Sequence, residues 1–505
     1  MSDVNSILDI NVFSEWLGLN TASSKDALHK KIEEWSHDEN ELSALSTRFR
    51  AFKDAIKKDP EFYKECSECF KEIAKCEEEL NNLIVTDSNL EKESYNEILF
   101  FRPILKPFNF IPYLLTAWSF LRVYVLPGLS FIIPLLTLFV PYFMLKFVFY
   151  LPITLNSYVN ILNSMISGNF EQVMNPNNAK SIMASPINFL KQFGIIIMTL
   201  VQGILQPYWS YKHLKSIDTI ITEKGRLILK FKNLYKKLQK SLQRNGFDFF
   251  KCPLPDIKSE RDATAYIILE SSYFKLALKY IGSLEVIMSL ANKTDIHPVK
   301  WVTSDKPVFT AKNTFDFNVS KEIKTINVEF SNQHALLTGP NKGGKSTVLR
   351  ALSISALLAH TYGCAPGLIT LTPFAKMLVC LKPDDLPGSK SRFEREIEFT
   401  ANTLQLKERA LLFIDELYHS TNPPDALRSC NIYCNQLWQK ENIISVISTH
   451  LFELVEKAPD NIQKLCCPAT MENGTIHFSY SLNKGICKVS SVDELLKING
   501  LLRPN

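Results

Sequence analysis

The sequence predicts an α/β fold for its C-terminal part, a mixed sheet flanked by helices, preceded by long α-helical segments and a hairpin of two apolar helices. First, apolar runs of strand length, such as "HALLTG" at 334–339 and "NIISVIS" at 442–448, alternate with helix-like runs. Second, residues 1–100 carry apolar side chains at helical spacing among many charges. Third, two long runs without any charge lie between these regions.

The first hundred residues are predicted to form an acidic helical region, 1–100. They hold 12 Lys and Arg residues against 22 Asp and Glu residues, a net charge of −10. Leu42, Leu45, Phe49 and Phe52 follow helical spacing. Because binding to nucleic acid requires basic side chains that neutralise phosphates, this region is a poor DNA-binding surface, and we interpret it as solvated helices.

The cysteines do not predict a metal site. Eleven are scattered along the chain, and Cys66, Cys69 and Cys76 form the only tight cluster. One CxxC pair is weak evidence for zinc, because a second pair and histidine partners are missing. Reduced thiols of a protein facing the cytosol fit this pattern better.

Two uncharged runs predict a membrane-embedded region, 101–215. The first covers the 23 residues 123–145 and the second covers 192–211, and about 20 apolar residues span a bilayer core. A buried core helix is the alternative. Aromatic residues near the ends of the runs favour the membrane, because such residues concentrate at membrane interfaces: Trp118, Tyr124, Tyr142, Tyr150, Tyr208 and Trp209. Three prolines in the first run, Pro127, Pro134 and Pro141, leave a broken or re-entrant hairpin open.

The charges that flank these runs predict their orientation. Arg102, Lys106 and Arg122 precede the first run, and Lys212 and Lys215 follow the second. Positive flanks stay in the cytosol, so we expect a multi-pass hairpin with both chain ends on the cytosolic side. A third crossing between residues 147 and 166 would break this arrangement.

Residues 216–295 are predicted to form a helical connector. Within it, Leu227, Phe231, Leu234, Leu238 and Leu242 lie three or four residues apart, with Lys and Arg on the other face. The pattern is typical of a long amphipathic helix packed on a partner. A basic face of this kind can also contact anionic lipid or DNA phosphate.

A phosphate-binding loop is predicted at 339–346, which reads Gly-x-x-x-x-Gly-Lys-Ser. The glycines let backbone N–H groups close around a phosphate, Lys345 reaches the β- and γ-phosphate oxygens, and the Ser346 hydroxyl can hold Mg²⁺. An apolar strand leads into the loop and a helix leads out. The helix N-terminus therefore faces the bound anion, as nucleotide binding requires.

Two further strands end in residues suited to ATP hydrolysis. "ALLFIDE" ends in Asp415, which would hold the Mg²⁺ shell, and Glu416, which would polarise the attacking water. "NIISVISTH" ends in His450, suited to sensing the γ-phosphate or the positioned water. Lys345, Glu416 and His450 are thus the predicted catalytic residues, with Ser346 and Asp415 as metal ligands.

Together these motifs resemble the MutS mismatch-repair ATPases. The family loop TGPNxGGKST matches residues 338–347, with Lys342 in the slot usually held by Met. "YGCAPG" at 362–367, "SRFEREI" at 391–397 and "STHLFEL" at 448–454 resemble further family motifs. The resemblance covers about residues 296–502 and implies an ABC-like P-loop ATPase domain, 296–505, that uses ATP and Mg²⁺ and hydrolyses slowly.

The resemblance also implies roles for individual residues and a homodimer. Asn341 and Ser391 would contact nucleotide, Ser391 that of the opposite subunit, and Phe309 would stack on adenine. The full set of nucleotide-binding residues that it implies is Gly339, Pro340, Asn341, Gly343, Gly344, Lys345, Ser346, Thr347, Phe309 and Ser391. Such a composite site is complete only in a dimer.

The segment after Glu416 departs from the family pattern. The family reads DE-x-GRGTST, whereas residues 417–423 read Leu-Tyr-His-Ser-Thr-Asn-Pro, without either glycine or the arginine. No mismatch-reading domain is visible upstream.

We therefore expect a membrane-anchored, MutS-type ATPase in which a dimer couples ATP binding and hydrolysis to movement of the attached helices and contacts membrane lipid. The alternative is a DNA mismatch-repair factor that binds mismatched or structured DNA with ATP as a clamp switch.

Overall fold

The structure is a computed structural model that describes residues 7–85, 95–167, 203, 205–319, 324–381, 391–472 and 475–489. The chain divides into two compact units. Unit 1 comprises Met1–Ala74, Leu238–Phe250 and Leu278–Asn505, and unit 2 comprises Lys75–Lys237 and Lys251–Ala277. This division differs from the four predicted segments, because most of the acidic N-terminal region shares a unit with the ATPase domain.

Four helices form the N-terminal region: α1 (Ile10–Leu17), α2 (Ala22–Glu33), α3 (Glu39–Lys58) and α4 (Pro60–Val85). Asp9, Thr21 and Asp38 cap the first three, each accepting hydrogen bonds from backbone N–H groups of the first turn. Cys66, Cys69 and Cys76 are buried on α4 and form no disulfide bond with a described residue. Among the described residues, no group of three or more His, Cys, Asp or Glu side chains is placed to hold a metal ion.

A continuous helical stretch runs from residue 114 to residue 148 in unit 2. It consists of α5 (Leu114–Phe120), a π-helical turn (Leu121–Val125), α6 (Leu126–Phe143) and a second π-helical turn (Met144–Val148). Pro127 cannot donate a backbone hydrogen bond to the carbonyl of Val123, which accounts for the irregular first turn. The stretch continues through Pro134 and Pro141 without a break.

The first part of this stretch packs on protein. Leu115, Ser119 and Val123 recur every four residues and are buried. Farther along, Tyr142 is buried, with its ring 5.3 Å from that of Tyr158, but most other large apolar side chains that the structure describes here are exposed, among them Leu126, Leu129, Phe131, Ile132, Phe139, Val140, Phe143, Met144, Phe147, Val148, Phe149 and Tyr150. By length and composition, one helical segment of the described residues, Leu114–Ile132, is apolar enough to cross a membrane, and 22% of it is buried. Most of the second predicted run, 192–211, lies outside the described residues.

The remaining helices of this part of the chain are α7 (Leu155–Ser167), α8 (Gln206–Arg244), α9 (Glu260–Leu269) and α10 (Ser272–Asn292). The amphipathic pattern predicted at 225–246 lies in α8, where Phe231, Leu238 and Leu242 are buried. In unit 2, Ile217 and Ile221 of α8 form a core cluster with Leu115 of α5 and Ala265 of α9. Beside this cluster, Asp218 accepts hydrogen bonds from Ser119 at 2.5 Å and from Arg261 at 2.7 Å, which ties α5 to α8 and α9.

Strands and helices alternate through the rest of unit 1. In chain order they are β1 (Ile296–Pro298), β2 (Lys300–Trp301), β3 (Val308–Thr314), β4 (Ile326–Ser331), β5 (Ala335–Thr338), α11 (Lys345–Tyr362), β6 (Cys364–Pro366), β7 (Leu368–Leu371), β8 (Lys376–Cys380), α12 (Arg392–Leu404), β9 (Ala410–Ile414), α13 (Pro423–Leu437), β10 (Ile443–Ser448), α14 (Phe452–Lys457), β11 (Gln463–Cys466), β12 (Ala469–Glu472), β13 (Thr475–Phe478) and β14 (Asn483–Lys484). This is the mixed α/β fold predicted for the C-terminal part.

The central sheet has the order β14-β11-β5-β10-β9-β8. Five of its strands are parallel and β14 pairs antiparallel with β11. Strands β5, β9 and β10 are buried on both faces, which explains their unbroken apolar sequences. A second sheet, β2-β7-β3-β4, lies in the same unit.

The N-terminal helices pack on the predicted ATPase domain within unit 1. The Trp35 indole N–H donates to the carbonyl of Phe374 at 2.9 Å, and that of Trp301 donates to Ser46 Oγ of α3 at 2.8 Å. Lys53 of α3 donates to the backbone carbonyl of Lys293 at 2.8 Å. These helices are therefore part of the ATPase unit and not a separate solvated region.

Candidate functional site: an ATP-binding cavity

The phosphate-binding loop lies between β5 and α11, as predicted. Gly339 and Gly344 adopt φ angles of 148° and 100°, which side-chain-bearing residues rarely adopt. A Cβ atom on Gly339 would also lie 2.8 Å from the carbonyl oxygen of Cys467, and one on Gly343 would lie 3.0 Å from that of Pro340. The loop thus depends on glycine for both its backbone angles and its close approaches.

Lys345, the first residue of α11, is held inside the loop. Its Nζ donates to the carbonyl oxygens of Gly339 at 3.0 Å and of Pro340 at 3.2 Å. Burial lowers the pKa of this ammonium group. The side chain therefore lies at the centre of the loop, where a bound phosphate would accept its hydrogen bonds instead of the two carbonyls.

Ser346 and Asp415 lie together at the predicted metal position. The Ser346 hydroxyl donates to Asp415 Oδ2. Ser448, the last residue of β10, donates through its hydroxyl to the other carboxylate oxygen of Asp415. A hydroxyl and a carboxylate at one point are oxygen ligands of the kind that Mg²⁺ prefers, so these two residues fit the predicted ion, which would neutralise charge on the phosphate oxygens.

Glu416 and His450 form the second pair of the site. His450 Nε2 lies 3.0 Å from Glu416 Oε1 and 3.2 Å from Lys345 Nζ. A proton on Nε2 makes the imidazole a donor to the carboxylate, and this hydrogen bond lowers the pKa of Glu416 although burial opposes the shift. Glu416 is therefore ionised at neutral pH, as a carboxylate that positions water must be.

Neighbouring strands bring these residues together. In the sheet order β5-β10-β9, the loop follows β5, His450 follows β10, and Asp415 with Glu416 follow β9. The carboxyl ends of neighbouring parallel strands meet at one sheet edge, where ligands of α/β proteins bind. The sequence did not single out Ser448, which accepts a hydrogen bond from the Glu416 backbone N–H at 2.9 Å. Its position at the end of a strand, two residues before His450, was the available signal.

A cavity of about 790 Å³ opens over the loop. The predicted nucleotide-binding residues that line it are Pro340, Asn341, Gly343, Gly344, Lys345, Ser346 and Thr347, and Glu416 lines it as well. The further lining residues, which sequence reasoning missed, include Asp316, Asn318, Lys324 and Tyr480. Asp316 is held by Arg350 of α11, whose Nε donates to its carboxylate at 2.8 Å. The volume and the lining fit a nucleotide.

Phe309 is not brought to this cavity. It faces inward from β3 and is fully buried, with the rings of Phe330 and Phe413 each 6.5 Å away. It is not among the residues that line the cavity. The adenine-stacking role implied by the resemblance is therefore corrected, because a residue enclosed in the core between the sheets cannot contact a base.

Ser391 lies outside the cavity of its own chain and begins α12. Its hydroxyl accepts a hydrogen bond from the Glu394 N–H at 3.2 Å, and Glu394 in turn accepts from the Ser391 N–H at 2.8 Å. This reciprocal pair is a capping box, and it leaves Ser391 exposed at a helix N-terminus. The proposed contact with nucleotide of an opposite subunit stays a prediction.

The altered segment after Glu416 is held by α12. Tyr418, at the position of the first family glycine, has a φ angle of 57°, in the left-handed region that favours glycine. Its hydroxyl lies 2.6 Å from Thr400 Oγ1, and its ring contacts Phe393 edge to face. Ser420, at the position of the second glycine, donates to Glu396 at 3.0 Å. These contacts with α12 offset the backbone strain at Tyr418, which is of the order of 1 kcal/mol or more.

The strand order, the loop and the acidic pair are those of a nucleotide-hydrolysing domain, and comparison with known protein families agrees with them. Residues 335–501 match the family model described as MutS domain V. This domain is the ATPase domain of MutS-family proteins, which use ATP with Mg²⁺. The match covers the phosphate-binding loop, the Asp415–Glu416 pair and His450, and it supports a MutS-type assignment for this part of the chain.

Proposed function

We propose that this protein is a membrane-anchored ATPase of the MutS type, with its ATPase domain on the cytosolic side. The observation that carries the catalytic part is the convergence of Lys345, Ser346, Asp415, Glu416 and His450 at one sheet edge beside the cavity. Each of these side chains comes from the end of a buried strand or from the helix that follows it. The site is therefore built on rigid elements.

The residues divide the work of hydrolysis between them. Lys345 and the loop N–H groups bind the phosphates, and Ser346 with Asp415 hold the metal ion that balances their charge. The ionised Glu416 accepts a hydrogen bond from the attacking water and orients it. His450 orients the Glu416 carboxylate through their hydrogen bond and lies within hydrogen-bond distance of Lys345, so it is suited to respond to the γ-phosphate that this lysine binds.

Support for the membrane part comes from the surface of the helical stretch in unit 2. Between Tyr124 and Tyr150, most of the large apolar side chains that the structure describes are exposed, and exposed apolar surface of this extent marks an interaction site or a membrane contact. The 23 uncharged residues 123–145 would extend about 35 Å as a helix, enough for a bilayer core. Lys146 follows them as the first charge after the apolar run, and its ammonium group donates to the Tyr142 hydroxyl at 3.2 Å.

Dimerisation and coupling extend the proposal. ATP bound at one loop would be contacted by Ser391 of a second copy, whose exposed position at the start of α12 allows such a contact. The helices of residues 216–295 would then carry the resulting motion to the membrane segment. Helix α8 suits this role because it is one uninterrupted helix of 39 residues that supplies residues to both compact units.

The catalytic proposal is tested with three variants of the purified chain. Glu416→Gln should bind ATP with unchanged affinity and release no phosphate, whereas Lys345→Ala should weaken ATP binding itself. Glu408→Gln is the control, because Glu408 precedes the same strand β9 at its far end and pairs with the exposed Lys376. Phosphate release by Glu416→Gln at the wild-type rate would remove Glu416 from the mechanism.

The membrane proposal is tested by fractionation of cells that express the full chain. We expect the protein in the membrane pellet, and we expect it to stay there after washing with alkaline carbonate. A chain that remains soluble and binds heteroduplex DNA with a steep dependence on salt would overturn the membrane proposal and favour the mismatch-repair alternative.

A further inference from the structure

Unit 2 contains a polar cavity at the level where the exposed apolar surface begins. Its volume is about 280 Å³, smaller than a pocket for a drug-sized ligand and suited to a small polar group. Its polar lining comes from Glu97, Arg122, Ser130, Ser210 and His213. The ATPase mechanism uses none of these residues.

We propose that this cavity binds the headgroup of a zwitterionic aminophospholipid, with the phosphodiester beside Arg122 and the ammonium group beside Glu97. The inference rests on the proposed membrane anchor. It adds a binding site and a ligand class to that anchor, and it predicts a preference among lipids that a merely apolar helix would lack.

The charges of the cavity match a zwitterion. Arg122 and Glu97 are its only lining residues with a fixed charge, and they pair with each other at 2.5 Å. Arg122 donates to Glu97 through one terminal nitrogen, and its buried Nε has no hydrogen-bond partner among the described residues, so the protein pairs this guanidinium only in part. The hydroxyl of Ser210 and the imidazole of His213 are further donors for a phosphodiester. A headgroup with extra negative charge would meet the Glu97 carboxylate, which disfavours it.

The surroundings of the cavity fit the depth of lipid headgroups. Leu126 and Pro127 form part of its wall and begin the exposed apolar helix α6, along which acyl chains would lie. Tyr208 and Trp209 are exposed on the first turn of α8, and aromatic side chains of this kind concentrate at membrane interfaces. Lys212 lies over the Trp209 ring at 5.4 Å, one turn farther from the apolar surface. Basic and aromatic side chains thus surround a polar cavity where lipid phosphates would lie.

Native mass spectrometry of the detergent-solubilised full chain tests the inference. The probes are phosphatidylethanolamine, phosphatidylcholine, phosphatidylserine and phosphatidylglycerol with identical acyl chains. We expect phosphatidylethanolamine to bind roughly tenfold more tightly than phosphatidylcholine, because only its ammonium group can donate hydrogen bonds to Glu97. Free phosphoethanolamine should compete weakly, which separates a lipid site from a site for a soluble phosphate compound.

Three variants identify the residues responsible. Glu97→Gln should abolish the preference for phosphatidylethanolamine over phosphatidylcholine, and Ser210→Ala should weaken both lipids alike. Lys146→Gln, at the far end of the apolar run, is the control and should keep the preference. Circular dichroism and thermal unfolding that match the wild type report that each variant is folded. Equal binding of all four lipids, or a preference that survives Glu97→Gln, would overturn the headgroup site.

A flotation assay distinguishes failure of this inference from failure of the anchor. If the chain floats equally with vesicles of phosphatidylcholine alone and of mixed phosphatidylethanolamine, and no preference is found in the spectra, the headgroup site is wrong and the anchor stands. If the chain floats with neither vesicle, the membrane proposal itself is wrong.

Discussion

Ser448→Ala is expected to slow ATP hydrolysis although this residue touches neither the loop nor the cavity. The Ser448 hydroxyl is fully buried, donates to Asp415 and accepts from the Glu416 N–H at 2.9 Å. One hydroxyl therefore positions both the metal ligand Asp415 and the backbone of Glu416, whose carboxylate orients the water. Alanine removes both hydrogen bonds and leaves a buried N–H without a partner.

The magnitude follows from these two bonds. The neutral bond to the Glu416 N–H contributes about 1 kcal/mol and the charge-assisted bond to Asp415 contributes about 1.5–3 kcal/mol, so we expect a loss of about 2–4 kcal/mol in the free energy of unfolding. Misplacement of a catalytic group by about 1 Å costs about a hundredfold in rate. We therefore expect turnover to fall roughly tenfold to a hundredfold, with ATP affinity changed much less.

Ser445→Ala is the matched control. Ser445 lies on the same strand, is equally buried, and bonds through its hydroxyl to His334 Nδ1 at 2.7 Å, away from the cavity. The Ser445→Ala variant should lose about 1 kcal/mol in the free energy of unfolding and keep the wild-type turnover. Urea unfolding and phosphate release are measured on both variants. If Ser448→Ala hydrolyses ATP within twofold of Ser445→Ala, Ser448 does not position the acidic pair.

Three further predictions concern the ATPase unit. Tyr418→Phe should lower the free energy of unfolding by about 1 kcal/mol and alter turnover. Tyr433→Phe is its control, because it loses an equivalent bond of 2.7 Å to Thr403 on α12 and should lose similar stability at unchanged turnover. Equal turnover in both variants would contradict a functional role for the Tyr418 contact. Burial lowers the pKa of His334 to about 4 from an ordinary 6.5, so the stability that its neutral form contributes is present above pH 6.5 and falls as the pH decreases toward 4. Urea titrations at pH 7.5 and 5 should show a loss about 2 kcal/mol larger in the wild type than in His334→Gln, and equal losses would refute this. Phe309→Leu should lower stability by about 1–2 kcal/mol and leave ATP affinity unchanged, and a tenfold loss of affinity would restore its predicted contact with adenine.

The catalytic residues could be predicted because their signals are local. A glycine-rich loop, an acidic pair and a histidine each follow a short apolar strand, and parallel strands bring such ends to one edge of the sheet. The sequence does not contain the strand order itself, so it did not indicate that Ser448 lies between Asp415 and the Glu416 N–H. That contact arises only because β9 and β10 are neighbours.

For Phe309 the sequence motif predicted a contact that the structure does not show. A motif match suggested contact with nucleotide, but the alternation of buried and exposed residues along β3 turns this ring into the core. The packing of α2 and α3 on the ATPase domain could not be predicted either. Acidic helices with one apolar stripe are compatible with many partners, and the long-range hydrogen bonds of Trp35 and Lys53 leave no pattern in the sequence.

Labelling from within the lipid phase tests the central claim most directly. The full chain, reconstituted in vesicles that contain a carbene-generating hydrophobic photolabel, is irradiated, digested and mapped by mass spectrometry. We predict that adducts concentrate in peptides from residues 124–150 and are lacking in α11, whose side chains are almost all buried in the ATPase domain. Vesicle-bound protein without adducts in 124–150, or protein that does not associate with vesicles, would contradict the account.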